Sequence, residues 1–296
     1  MRLIRWLIAA ALLTGAAFWW LTGPRPLPDD ATADLVGDAG RGETVFWAAG
    51  CASCHAAPGA KGAARLVLAG GYRIESPFGT FVAPNISPSP QGIGGWSTQD
   101  LANALIAGVS PDGRHYYPAL PYTTYTRMTL QDVANLKAYL DTLPPSDSPS
   151  AAHELGFPFN VRRGLGLWKR LNLSPDWVLE AGDDPQLRRG RYLVEALGHC
   201  AECHTPRDAL GGLDVARWMQ GAPNPSGKGR IPPLTPDKLT WSAADIAYYL
   251  ETGFTPDYDS AGGEMAQVVE NLAHLSAEDR LAIAAYLKAL PGPAAD

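Results

Sequence analysis

Charge is scarce in this chain of 296 residues: Asp, Glu, Lys and Arg make up 18%, the net charge is −6, and no basic run stands out after Arg5. A nucleic-acid partner needs a dense cationic surface against its phosphates, so that class is excluded. Cysteine is scarce too. The four present stand in two copies of one pattern, Cys51-Ala-Ser-Cys54-His55 and Cys200-Ala-Glu-Cys203-His204, leaving none for the disulfides that an even count in an exported chain would suggest. Glycine and proline, at 31 and 26, are plentiful but scattered through turns. That is the composition of loop-rich domains built round something other than a large apolar core. The length suits two ordinary domains with linkers.

The N-terminus decides the compartment. Arg2 and Arg5 precede an apolar stretch of 16 residues, Trp6 to Leu21, broken only at Thr14-Gly15. A spanning helix wants about 20, but Leu3 and Ile4 extend the stretch and Arg5 can reach the interface along its own stem. Residues 1–23 are therefore expected to be a membrane anchor or signal segment, with Trp19 and Trp20 at headgroup level. The arginines would hold the N-terminus in the cytoplasm and place the rest on the periplasmic face of a bacterial inner membrane. Cleavage at Ala16-Ala17, leaving a soluble periplasmic protein, is the alternative; the bulky Phe18-Trp19-Trp20 disfavours it. Residues 24–37, rich in proline at their start, predict a stiff extended tether.

Beyond the tether the chain repeats itself. Trp96-Ser97-Thr98-Gln99-Asp100-Leu101 matches Trp241-Ser242-Ala243-Ala244-Asp245-Ile246, and the same offset carries Gly108 onto Gly253 and Pro111-Asp112 onto Pro256-Asp257. Each copy predicts an opening helix running into its cysteine motif (Arg41 to Ala49, Arg189 to Leu197). A middle helix follows (Thr98 to Ala107, Ala243 to Thr252), then a closing helix (Thr129 to Leu143, Ser276 to Leu290). Thr129 with Asp132, and Ser276 with Asp279, have capping-box layout with Asp in place of Glu; Pro144-Pro145 and Pro291 stop the helices. The expected fold is all-α, two tandem domains at 38–145 and 186–292, each of three or so helices round a flat cofactor. Residues 146–185 read as a structured linker. Its run of Arg162, Arg163, Lys169 and Arg170 among Phe, Leu and Trp also suits a membrane-surface helix, although packing against both domains is the simpler expectation.

Two cysteines three apart on a helical turn can reach both vinyl groups on one edge of a haem and form thioethers. The histidine that follows then lies under the iron. This makes Cys51, Cys54, Cys200 and Cys203 the expected attachment points of two covalently bound haem c groups, with His55 and His204 as proximal ligands. A structural zinc wants a second ligand pair nearby, and these pairs are far apart in sequence; a redox dithiol gives no reason for a histidine after both pairs. The sixth iron ligand separates electron carriage from chemistry on a substrate. For the second haem it is expected to be Met265, in a loop after Gly262-Gly263-Glu264. In the first domain the repeat offset puts Leu120 there, which cannot bind iron. Met128 ranks first instead, an open iron second and His115 third; Met128 also suits a hydrophobic staple on the closing helix.

These residues resemble the cytochrome c subunits of bacterial membrane-bound alcohol, aldehyde and sugar dehydrogenases and related di-haem cytochromes, over roughly 38 to 292. The marks are Gly92-Ile93-Gly94-Gly95-Trp96, Pro111-Asp112-Gly113-Arg114-His115, Tyr117-Pro118-Ala119-Leu120-Pro121-Tyr122, Phe157-Pro158-Phe159-Asn160, Gly198-His199-Cys200 and His204-Thr205-Pro206-Arg207. The resemblance implies cytochrome c folds, His/Met ligation, and electron delivery from a periplasmic dehydrogenase to a respiratory acceptor such as a quinone, cytochrome or oxidase. Members often carry Met where Leu120 stands, and many carry three haems and a longer C-terminus, so a shorter electron route is expected here. By the same resemblance Arg114 and Arg207 could pair with haem propionates. Leu120 keeps alive a second function, a peroxidase-like or sulfur-oxidising haem enzyme with an open first iron. Against that, the sequence offers no acid/base group beside Cys51 other than His115.

Overall fold

A computed structural model of the chain describes residues 1–224 and 229–292; Asp296, where the sequence ends, lies outside the described residues. The first helix, α1 (Arg2–Leu21), buries none of its side chains and is long and apolar enough to cross a membrane. The first repeat follows as α2 (Ala39–Ala48), α3 (Cys51–His55), a hairpin of β1 (Arg73–Ser76) and β2 (Gly79–Val82), α4 (Thr98–Ala107), α5 (Tyr122–Tyr125) and α6 (Leu130–Leu140). The linker holds β3 (Glu154–Leu155) and α7 (Leu165–Asn172). The second repeat is α8 (Pro185–Tyr192), a π-helical turn at Leu193–Leu197, α9 (Ala201–His204), β4 (Ala222–Pro223), β5 (Arg230–Ile231), α10 (Ala243–Thr252), α11 (Glu264–Leu272) and α12 (Ala277–Ala289).

The fold is thus mostly helical rather than all-α. The hairpin forms because Ile74, Thr80, Phe81 and Val82 favour extended backbone and a two-residue turn at Pro77-Phe78 brings Ser76 opposite Gly79. β3 adds to its edge, pairing Gly79 with Leu155, and the Arg73–Glu154 ion pair at 2.6 Å fastens the linker there. The tether also departs from a free-standing spacer. It lies across the first domain and coils into turns over residues 29–34: the Leu27 amide donates to Asn103 Oδ1 at 2.8 Å, Gln99 Nε2 to the Pro28 carbonyl at 3.0 Å, and Gln131 Nε2 to the Val36 carbonyl at 2.8 Å.

Each domain is organised by its opening helix crossing its closing helix. A β-carbon on Gly42 would lie 2.0 Å from the Asn135 carbonyl oxygen, and one on Gly190 would lie 1.9 Å from that of Ala282, so both crossings need a bare backbone. The middle helices carry full reciprocal capping boxes, Ser97 with Asp100 and Ser242 with Asp245. The closing helices use only half of theirs. Thr129 and Ser276 accept from the amides of Asp132 and Asp279, but the acids turn outward, Asp132 to the Tyr192 hydroxyl and Asp279 to Arg189 at 2.7 Å. A stronger partner on the neighbouring helix wins the carboxylate.

Candidate functional site

The residue before each first cysteine is left-handed, Gly50 at φ 65° and His199 at φ 38°, turning the chain from the opening helix into the short helix that carries the cysteine motif. In both copies the imidazole is held alike. His55 Nδ1 lies 2.8 Å from the carbonyl of Pro84, 29 residues on, and His204 Nδ1 lies 2.7 Å from that of Pro232, 28 residues on. A carbonyl only accepts, so Nδ1 carries the proton and Nε2 keeps its lone pair, the tautomer an iron ligand needs. The backbone repeats around them: Gly70 donates to the His55 carbonyl at 2.7 Å and Gly221 to that of His204 at 2.8 Å. Burial lowers the pKa of both histidines, with the proline bond opposing it, so each ring is neutral and ready to ligate.

The thiols are equally suited to covalent attachment and ill suited to the alternatives. Burial pushes Cys51 and Cys200 up to about 12 and Cys54 to about 11, so none rests as the thiolate a redox dithiol employs. Among the described residues no three His, Cys, Asp or Glu side chains gather as a metal-binding group. Each motif therefore offers two unpaired thiols and one aimed imidazole, the complete attachment set for a haem.

The two motifs also lie side by side, which the sequence did not indicate. Glu264, at the start of α11 in the second domain, accepts from the Tyr72 hydroxyl of the first at 2.9 Å. Asn271, buried on α11, donates to Ser53 inside the first motif at 2.7 Å and accepts from buried Arg65 at 2.6 Å. His199 Nε2 donates to the Ala49 carbonyl at 3.2 Å, which also accepts from Tyr125 at 2.9 Å. Thr123 reaches Glu202 within the second motif at 2.8 Å, and Trp47 stacks on His274 at 3.7 Å. The domains meet around their attachment helices, α11 of the second against α3 and α5 of the first against α9.

The other expected residues are placed as follows. Met265 stands in the first turn of α11, not in a loop: Gly263, at φ 56°, starts the helix one residue earlier. Its side chain is half-buried against the core. Met128 is buried in the first domain's core just ahead of α6. His115 is committed elsewhere, its Nε2 bonded at 2.9 Å to the Thr22 carbonyl at the end of α1. Leu120 packs half-buried on the core. Arg114 pairs with Asp112 at 2.5 Å and Arg207 with Glu202. A further thioether, Met219, is fully buried in the loop that holds His204. It is the counterpart of Leu68: both are fully buried, and their carbonyls accept from Leu234 and Ile86 in the same way, so Met219 is a core residue. Glu195 was also missed. Buried in the π turn ahead of the second motif, it accepts from the amides of Val178 at 2.7 Å and Leu179 at 3.0 Å and from Tyr286 at 2.7 Å. A lone acid in the apolar run Leu193-Val194-Glu195-Ala196-Leu197 was its visible sign.

The cytochrome c family model matches residues 39–144 and again 187–291. A "Diheme cytochrome c-type" of Cereibacter sphaeroides is 60% identical over 285 residues, covering 96% of each chain. The fructose dehydrogenase cytochrome subunit of Gluconobacter japonicus is 39% identical over 86% of this chain and 53% of its own length. The gluconate 2-dehydrogenase cytochrome c subunit of Pantoea cypripedii is 35% identical over 89% of this chain and 62% of its own. This chain thus spans about half to three-fifths of the length of these two dehydrogenase subunits.

Proposed function

Because the chain belongs to the cytochrome c family and carries two covalently bound haem c groups, we propose that it is an electron carrier on the periplasmic face of the inner membrane, held by α1. It takes electrons from a dehydrogenase and passes them through both haems to a respiratory acceptor, a quinone, cytochrome or oxidase. In this reading Cys51 and Cys54, and Cys200 and Cys203, form the thioethers, while His55 and His204 ligate through Nε2. Met265 is the sixth ligand of the second haem and Met128 that of the first. Each haem supplies a reversible one-electron iron couple. The protein's part is to fix the imidazoles through Pro84 and Pro232, to offer the thioethers of Met265 and Met128 as the groups that would complete the iron coordination, and to clamp each motif to the other domain.

The observation that carries the proposal is that each motif is bonded to the other domain, Ser53 to Asn271 and Glu202 to Thr123: a chain that moves electrons between two centres needs them adjacent. Similarity to subunits of fructose and gluconate dehydrogenases supports a dehydrogenase as donor. The enzyme reading, with an open first iron, loses the acid/base candidate that the sequence offered, because His115 is bonded to Thr22. Carbon monoxide and peroxide separate the two. The reduced carrier should neither bind carbon monoxide rapidly nor consume peroxide. Fast binding that disappears with Cys51→Ser/Cys54→Ser would establish the enzyme instead.

A further inference from the structure

The C-terminal end of α1 does not simply lead into the body; the body grips it. Arg163 donates to the Trp19 carbonyl, stacks on the Trp19 ring at 3.9 Å and bonds Thr22 Oγ1 at 2.9 Å. Arg170 Nε reaches the Leu21 carbonyl at 2.8 Å, and His115 the Thr22 carbonyl at 2.9 Å. A β-carbon on Gly166 would stand 2.4 Å from the Thr22 carbonyl oxygen, so the 3₁₀ turn Arg162–Gly164 and α7 lie directly on the helix end. These three side chains satisfy carbonyls that a helix terminus leaves free, and the two arginines complement its dipole. They also fix a depth. If Trp19 and Trp20 mark the headgroup layer, whatever bonds residues 19 to 22 lies in that layer as well.

The side chains next to this grip are apolar and uncovered. Leu171, beside Arg170, is 75% exposed, and Leu167, one turn earlier on the same face of α7, is also exposed. Phe157 is 84% exposed, Phe159 lies exposed nearby, and Leu210, whose carbonyl accepts from Trp168 at 2.8 Å, is 61% exposed. From Gly156 to Pro175 there are four basic residues and no acid, in a chain whose net charge is −6. Arg170 and Arg25 stand exposed at the margin. Apolar side chains flanked by arginine, continuous with the end of a spanning helix, are the pattern of a surface that beds into anionic lipid.

We propose that Phe157, Phe159, Leu167, Leu171 and Leu210 form a second membrane contact, seated in the interfacial layer beside α1, so that the two-domain body is held in one orientation on the bilayer rather than swinging on a tether. The proposal rests on α1 being retained as an anchor, and the test separates the two ideas. With the native cysteines consumed by haem, a single introduced cysteine can carry a nitroxide. Full-length protein labelled at Leu171→Cys or at Leu13→Cys is reconstituted in vesicles of phosphatidylcholine and phosphatidylglycerol. Label depth is then read from the relative broadening by oxygen and a water-soluble nickel chelate. The expected result is a Leu13 label in the hydrocarbon and a Leu171 label about 5–10 Å inside the headgroup boundary. With Leu167→Glu and Phe157→Glu added, the Leu171 label should move into water while the Leu13 label stays. A Leu13 label in hydrocarbon with a Leu171 label in water would overturn this inference, leave the anchor intact and point to a protein partner on the patch. Both labels in water would overturn the anchor and the inference with it.

Discussion

Replacing Asn271 by leucine, nearly the same size and without the amide, would test the clamp between the two attachment sites. Asn271 is 2% exposed and Arg65 is 5% exposed, so neither can turn to water when its partner goes. Losing the acceptor for the Arg65 guanidinium removes a hydrogen bond to a buried charge, about 1.5–3 kcal/mol, and losing the donor to Ser53 Oγ removes a neutral one, about 0.5–1.5 kcal/mol. Arg65 keeps its ion pair with half-exposed Glu270 at 3.3 Å, which screening makes a weak substitute. The net expectation is a loss of roughly 2–4 kcal/mol, which for a body of this size lowers the melting temperature by roughly 5–15 °C. Thermal unfolding of the holoprotein, followed by haem absorbance and tryptophan emission, reads it. One cooperative transition in the parent should become two, because Asn271 joins α11 of the second domain to the first motif. A double-mutant cycle with Ser53→Ala should return about 1 kcal/mol of coupling. A melting temperature lowered by less than about 2 °C, with a single transition retained, would refute the clamp.

Other consequences are separable. Gly42→Ala and Gly190→Ala each force a methyl into a carbonyl closer than van der Waals contact, so each should destabilise its own domain by about 1–3 kcal/mol in urea titrations. Met265→Leu and Met128→Leu should each remove one sulfur-to-iron absorption band from the ferric spectrum while both haems stay attached; a spectrum unchanged by either variant removes that ligand from the assignment. Burial holds the Lys169 ammonium, which caps the Ala107 and Gly108 carbonyls at 2.8 and 2.6 Å, down to about 7. The unfolded chain, with the ordinary lysine value of about 10.4, binds more protons between those values. Stability from this group is therefore lowest below pH 7 and rises with pH up to about 10; Lys169→Met should flatten that rise in a series of urea midpoints. Glu195→Leu should cost about 2–4 kcal/mol, because two amides and the buried Tyr286 hydroxyl lose their acceptor.

What was legible in the sequence is what is local. Both cysteine motifs, the middle helices at Thr98–Ala107 and Ala243–Thr252, and the hydroxyl caps of the closing helices depend on residues within one turn of each other. The same locality explains the misses. Asp132 and Asp279 look like capping-box acids until Tyr192 and Arg189 arrive from the opening helix of the second domain. Pro24 to Pro28 reads as a free spacer because nothing nearby announces that Asn103 and Gln99 will bind its backbone. The hairpin at Arg73–Val82 is short, and only pairing with Glu154-Leu155 completes its sheet. Asn271 and Ser53, 218 positions apart, carry no mark of their meeting. The tandem repeat announced two equal domains, but which faces touch depends on side chains that the repeat does not share.

Adjacency of the two haem sites is most directly tested by flash reduction of the oxidised protein, following redistribution of the injected electron between the two centres. Cys200→Ser/Cys203→Ser protein, which keeps only the first haem, supplies the reference spectrum. If the two sites meet as the Ser53–Asn271 and Glu202–Thr123 bonds place them, redistribution is a first-order step whose rate does not change with protein concentration. A redistribution rate that scales with concentration, so that electrons cross only when two molecules collide, would contradict it.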